Sequence, residues 1–185
     1  MRIVAGAYRG RSLVAPKGQS TRPTADRTRQ ALFNVLEHAP WSRGLAGRRV
    51  LDLFAGSGAL GLEAISRGAL SARLIDNDPA ALVAIKANIT NLGCAAQALG
   101  VRQDAIRLAR CDTAGFDLVF LDPPYGQGLV TPALMSLVAG GWLADKVPVV
   151  IEQAASDPPP HLEGFKLLDS RRWGVAQVLI LEAAL

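Results

Sequence analysis

Residues 50–61 read Val50-Leu51-Asp52-Leu53-Phe54-Ala55-Gly56-Ser57-Gly58-Ala59-Leu60-Gly61. A short apolar run enters a glycine-rich turn, and the stretch to Arg67 has helical character. The glycines fit G-x-G-x-x-G between a strand and a helix. There the backbone can approach a ligand closely and the helix N-terminus faces it. Several nucleotide-binding families share this pattern. Working outward, Ala72–Ile75, Ala98–Val101, Phe116–Leu121 and Val147–Ile151 read as further strands, with helices over Pro79–Asn91 and Val130–Val138. Such alternation predicts an α/β fold with a mostly parallel sheet covered on both faces. Lys166–Arg172 and Val175–Glu182 read as an antiparallel hairpin turning at Trp173-Gly174. Before the first strand, Arg2–Ala5 and Arg11–Ala15 predict a small hairpin across Gly6–Gly10. Thr24 caps a helix over 25–38. The chain thus divides into a basic hairpin-and-helix extension over 1–40 and a Rossmann-like domain over 41–185.

The 185 residues suit one domain with a small appendage. Half of them are apolar and 19% charged, which excludes disorder as the main state. No apolar run approaches the roughly 18 residues of a membrane helix. Arg9 and Arg11 interrupt any signal-peptide core. A cytoplasmic protein with no membrane partner is expected. Cys94 and Cys111 lack metal-ligand spacing, so neither a disulfide framework nor a metal site is expected. No heptad or apolar stripe asks for a dimer, so a monomer is expected. The net charge is +4, but residues 1–49 carry ten Lys or Arg against Asp26 and Glu37, a balance of +8, which leaves −4 on residues 50–185. A basic arm that meets a polyanion fits this split, and so does a solvated face. Only four of the 20 basic residues are Lys. The planar fork of Arg suits phosphate, although genome composition can produce the same usage.

Asp52 narrows the ligand of the glycine loop. A dinucleotide would place a pyrophosphate beside this carboxylate, which is repulsive. S-adenosylmethionine presents an ammonium and a sulfonium there instead. Asp76 ends the next strand, where an acid can take both ribose hydroxyls; a turn-forming Asp before Asn77-Asp78-Pro79 is the plain alternative. Asp104 follows the third strand and could accept from the adenine amino group while the Ala105 N–H meets the ring. A surface-turn Asp would look the same. The expected donor contacts are Asp52, Phe54, Gly56, Gly58, Asp76, Asn77, Asp104 and Ala105.

The fourth strand runs into Asp122-Pro123-Pro124-Tyr125. Ligands of open α/β sheets bind beyond the carboxyl ends of the strands, so this tetrapeptide and the glycine loop converge on one crevice. An exocyclic base amine is a poor nucleophile because its lone pair is delocalised into the ring. The Asp122 carboxylate and the Pro123 carbonyl can hold both N–H groups, localising that lone pair and aiming it. Pro123 and Pro124 stiffen the acceptors, and Tyr125 can stack on a flipped-out base. No metal is required, because the sulfonium is its own leaving group.

With these residues the sequence resembles the RsmD family of bacterial 16S ribosomal RNA guanine-N2 methyltransferases. The likeness runs through Arg2-Ile-Val-Ala-Gly6, Arg9-Gly-Arg11, Arg22-Pro-Thr-Ala-Asp-Arg27, Leu32-Phe-Asn34, Leu51–Gly68 and Phe116–Tyr125. The resemblance implies a class I methyltransferase fold, a seven-stranded mostly parallel sheet with its last strand antiparallel. It implies S-adenosylmethionine as donor and a guanine amine of 16S rRNA in the 30S subunit as acceptor. Asp122–Tyr125 is then the catalytic motif. The family usually has Glu where Asp76 stands, which bears on donor affinity. Arg9, Arg11, Arg22 and Arg27 are the candidate RNA contacts. A DNA adenine-N6 or cytosine-N4 methyltransferase shares the glycine loop and the Asp-Pro-Pro-Tyr motif, and a non-catalytic RNA-binding factor could retain the fold.

Overall fold

The computed structural model describes residues 1–16, 23–161 and 163–184. Its elements are α1 (Pro23–His38), β1 (Arg49–Leu53), α2 (Ala59–Ser66), β2 (Ser71–Asp76), α3 (Pro79–Leu92), β3 (Ala98–Arg102), β4 (Leu118–Leu121), α4 (Val130–Ala139), β5 (Val147–Ala154), β6 (Phe165–Trp173) and β7 (Ala176–Ala183). The strands form one seven-stranded sheet in the order β3-β2-β1-β4-β5-β7-β6. β3 to β5 are parallel, and β7 lies antiparallel between β5 and β6. Strand order reverses at β1/β4, which opens a crevice at the carboxyl ends there.

The central strands are buried on both faces, which explains their unbroken apolar runs. Val50, Phe120, Val150 and Ile180 meet Phe33 of α1 and Leu62 of α2 on one face; the Phe33 and Phe120 rings are 5.6 Å apart. Leu51, Val119, Leu121 and Ile151 meet Leu134 and Leu137 of α4 on the other. Most strand boundaries lie within one residue of expectation, and two differ by more. β4 begins at Leu118 because Phe116 leaves the ladder to bridge Leu143 and stack on Trp142, while Asp117 turns to Arg49 at 2.9 Å. β5 extends to Ala154 because β7 offers partners as far as Ala176.

The N-terminal hairpin is present in reduced form, as a tight reversal with one bridge, Arg2 to Ser12. Further pairing is pre-empted by the body: the N–H groups of Val4 and Ala5 donate to the two oxygens of Glu63 at 2.7 and 2.9 Å. Glu63 is fully buried on α2 and also meets Arg67 at 2.8 Å and Arg29 at 3.7 Å. Gly6 sits at φ +81° so close to α2 that an added Cβ would lie 1.8 Å from the Ser66 carbonyl oxygen. Asn88 of α3 closes the second half of the arm. Its Oδ1 accepts from the Val14 N–H at 2.7 Å, and its Nδ2 donates to the carbonyls of Val14 and Ser57, both at 2.9 Å. Ile3 and Leu13 join the same core cluster as Val50 and Leu62.

Candidate active site

The glycine loop leaves β1 through a strained residue. Phe54 has φ +60°, the left-handed region that costs a non-glycine residue energy, and Gly56 and Gly58 follow at φ +56° and +77°. Gly58 is fixed by packing, since a Cβ there would come within 2.9 Å of the Leu74 side chain. α2 begins with no side-chain cap of its own. Asp52 supplies one from inside β1, its Oδ2 accepting from the Gly61 N–H at 2.9 Å. Asp76 holds the other side of the loop, accepting from the Gly56 N–H at 2.8 Å and from the Asp78 N–H at 2.9 Å. Each of its oxygens keeps a further lone pair for a ligand. Asn77 is exposed beside it. Asp104 closes a turn by accepting from the Ile106 N–H at 3.1 Å, which tucks Ala105 into the core.

The electrostatics of this edge are negative. Burial, with a smaller push from Asp76, raises the Asp52 pKa to about 7 despite the bond from Gly61. Asp122 opens to solvent on one side. Loss of water on its protein-facing side raises its pKa well above the ordinary carboxylate range, and repulsion from Glu152 and then Asp52 adds to this. Carboxylates that repel one another suit a cationic ligand and oppose a pyrophosphate, so the residues present fit S-adenosylmethionine.

Asp52 makes stability depend on pH. Its folded pKa is raised, so the folded chain keeps a proton that the unfolded chain releases. Its contribution is present below about pH 4 and is lost as pH rises toward about 7. Urea melts of the ligand-free protein should show stability falling across that interval, and Asp52→Asn should flatten the fall. Equal slopes for the two proteins would contradict the assignment.

Asp122, Pro123, Pro124 and Tyr125 leave β4 toward the same edge. Pro123 is buried, while Pro124 and Tyr125 are exposed. The Tyr125 hydroxyl donates to Glu152 Oε1 at 2.7 Å, a partner in β5 that no motif marks. A cavity of about 330 Å³ opens beside the tetrapeptide, with Leu129, Gln153 and His161 among its lining residues. Gln153 is buried and donates from Nε2 to the carbonyls of Asp157 at 3.0 Å and Pro158 at 3.1 Å. The run Pro158-Pro159-Pro160 is therefore tethered as a wall of this cavity. Among the described residues, no group of three His, Cys, Asp or Glu is placed to hold a metal ion.

The candidate RNA contacts do not gather at one place. Arg9 is exposed in the arm turn, and that turn rests on Ser66 at the far end of α2. Eight helical residues, roughly 12 Å, separate it from the glycine loop. Arg11 is exposed there too and donates to the Asn91 carbonyl. Arg27 is exposed in the first turns of α1. Those turns meet Arg2 through Asp26 and Arg29, and the neighbouring Met1 sulfur is 3.7 Å from the Ser57 hydroxyl. The first turns of α1, which carry Arg27, thus connect to the glycine loop through Arg2 and Met1. Arg22 lies outside the described residues.

A family model described as conserved hypothetical protein 95 matches residues 1–182. Ribosomal RNA small subunit methyltransferase D of Escherichia coli is 39% identical over 160 residues, 86% of this chain and 78% of its own length. The chain belongs to the RsmD family. The solved structure of Escherichia coli yhhF superposes with a TM-score of 0.82 at 34% identity, covering 100% of this chain and 98% of its own. The fold also appears in the magnesium protoporphyrin IX methyltransferase ChlM of Synechocystis, solved with bound SAM, at a TM-score of 0.64 and 17% identity over 90% of this chain and 87% of that one. RsmD-family membership and the seven-stranded sheet together make this chain a methyltransferase of the class I fold.

Proposed function

We propose that this chain transfers a methyl group from S-adenosylmethionine to the exocyclic N2 amine of a guanine in 16S rRNA of the 30S subunit. The observation that carries the reading is the meeting of the acidic glycine-loop edge and Asp122-Pro123-Pro124-Tyr125 at the carboxyl ends of β1 and β4, in a chain whose curated relative is named for small-subunit ribosomal RNA. When bound, the donor supplies an electrophilic methyl carbon on a sulfonium, and transfer leaves a neutral thioether. Asp52, buried in β1 beneath the start of α2, balances the positive charge of the donor's amino-acid end. Asp76, with Asn77 beside it, faces the ribose, and Asp104 and Ala105 face the adenine. Gly56 and Gly58 give the backbone its close approach, and Phe54 turns the chain into that loop.

Asp122 and the Pro123 carbonyl accept the two N–H groups of the target amine, so its lone pair is free to attack the methyl carbon. The extra proton on the methylated nitrogen then leaves to Asp122 or to water. Tyr125 stacks on the base, worth about 1–3 kcal/mol by analogy with base–aromatic contacts elsewhere. Arg22 and Arg27 are candidates for phosphate contact, and Arg9 and Arg11, in the arm turn and beside Asn91, reach RNA further from the crevice. Labelled donor should modify small subunits lacking the methyl group, and mass mapping should find the label on one guanine N2. Label in duplex DNA, with none in small subunits, would reject the reading.

A further inference from the structure

Glu152 belongs to none of the motifs above, yet it stands beside Asp122 and Tyr125 of the proposed base site. Leu121 and Ile151 are the last paired residues of β4 and β5, so Asp122 and Glu152 are the next residues of neighbouring parallel strands. Such strands run about 4.8 Å apart, and alternation turns both side chains to one face. Phe120, paired with Asp52 on one side and Val150 on the other, puts Asp52 on that face as well. Glu152 is the charged neighbour that acts most strongly on Asp122. The Tyr125 hydroxyl pins Glu152 Oε1 at 2.7 Å, which fixes the carboxylate at the polar edge of the ring proposed to stack on the base. Gln153 faces the other side of the strand and holds the Asp157–Pro158 backbone. β5 therefore gives one residue to the loop and the preceding one to the crevice.

We propose that Glu152 accepts the N1–H of the target guanine and so selects guanine over bases whose ring nitrogen beside the amine carries no proton. The inference rests on the guanine-N2 reading above. Guanine is the base whose exocyclic amine sits beside a protonated ring nitrogen, so that amine and N1–H donate in the same direction. Adenine and cytosine present a lone pair next to the amine. A carboxylate is acceptor-only: it takes the guanine edge and repels the other two. Asp122 holds the amine and Glu152 tests its neighbour, which makes Glu152 a specificity determinant.

The test uses small subunits reconstituted with guanine or 2-aminopurine at the mapped position. 2-Aminopurine keeps the N2 amine but has an unprotonated N1. The full-length wild type should methylate guanine about 10–100-fold faster than 2-aminopurine in single turnover, the discrimination expected of one well-made base contact. In Glu152→Gln, whose amide can donate to an unprotonated N1, the ratio should shrink to within about 5-fold, mostly through slower reaction of guanine. Glu152→Ala should also lose the preference, and it provides the same reading if the glutamine variant folds poorly. A preference unchanged from wild type in either variant overturns the inference and leaves the guanine reading standing. Wild-type protein that methylates adenine or cytosine instead overturns the guanine reading and this inference with it, and that outcome is visible without any variant.

Discussion

Asp122→Ala should bind S-adenosylmethionine within a few-fold of wild type and transfer its methyl group about 10²–10⁴ times more slowly, the range for a positioned group acting on the reacting centre. Two losses combine. The amine N–H loses its carboxyl acceptor, so the lone pair returns to the ring, and the amine is no longer aimed, so fewer bound complexes are in line. Donor binding is spared because Asp52 caps α2 through Gly61 and Asp76 holds Gly56, contacts that do not pass through Asp122. Removing Asp122 also relieves repulsion in the acidic edge. Equilibrium dialysis of labelled donor and single-turnover transfer to small subunits separate the two effects. Turnover within tenfold of wild type would remove Asp122 from the chemistry.

Glu63→Ala should be the most damaging change away from the crevice. The carboxylate is fully buried and serves Val4, Ala5 and Arg67, with Arg29 close by. Arg29 and Arg67 are themselves nearly buried, and Arg29 Nε and Arg67 Nη2 already lack a hydrogen-bond partner among the described residues. Without Glu63, Asp26 and Glu37, at the edges of the network, are the carboxylates left to the two guanidinium groups among the described residues. Breaking a buried pair from one side costs about 3–5 kcal/mol. For a domain of this size that lowers the melting temperature by roughly 6–20 °C. Thermal melts with and without S-adenosylmethionine provide the check; a drop under 2 °C would show that the network contributes little.

Much of this architecture is legible from local pattern. β1, β2 and β4 announce themselves as apolar runs because both of their faces are covered, and Asp78-Pro79 marks the start of α3 by supplying a cap and a first-turn proline. The crevice follows because sheet topology brings the ends of β1 and β4 together. Contacts between distant segments leave no such trace. Glu63 and Asn88 read as ordinary helix residues, yet they bind backbone 59 and 74 positions away. Arg29 reads as part of a basic arm and is instead enclosed, so part of the +8 on residues 1–49 is spent inside the protein. Glu152 escapes notice because its strand reads as plain core until register places it beside Asp122. One signal was available: an acid closing a run of buried β-residues has to face something.

The position of β7 sets an order of events during synthesis. β6 pairs with β7, and β7 also completes the exposed side of β5. A growing chain makes β5 and β6 before the strand that joins them. At about 5–20 residues per second, both wait with open edges until Ala183 has cleared the exit tunnel. Open edges recruit strands from other chains. β6 is well suited to that interval: Lys166, Arg171 and Arg172 keep it charged, and a register shift between Leu167 and Asp169 breaks its regularity. A nascent chain stalled between β6 and β7 therefore exposes two strand edges that the finished protein covers.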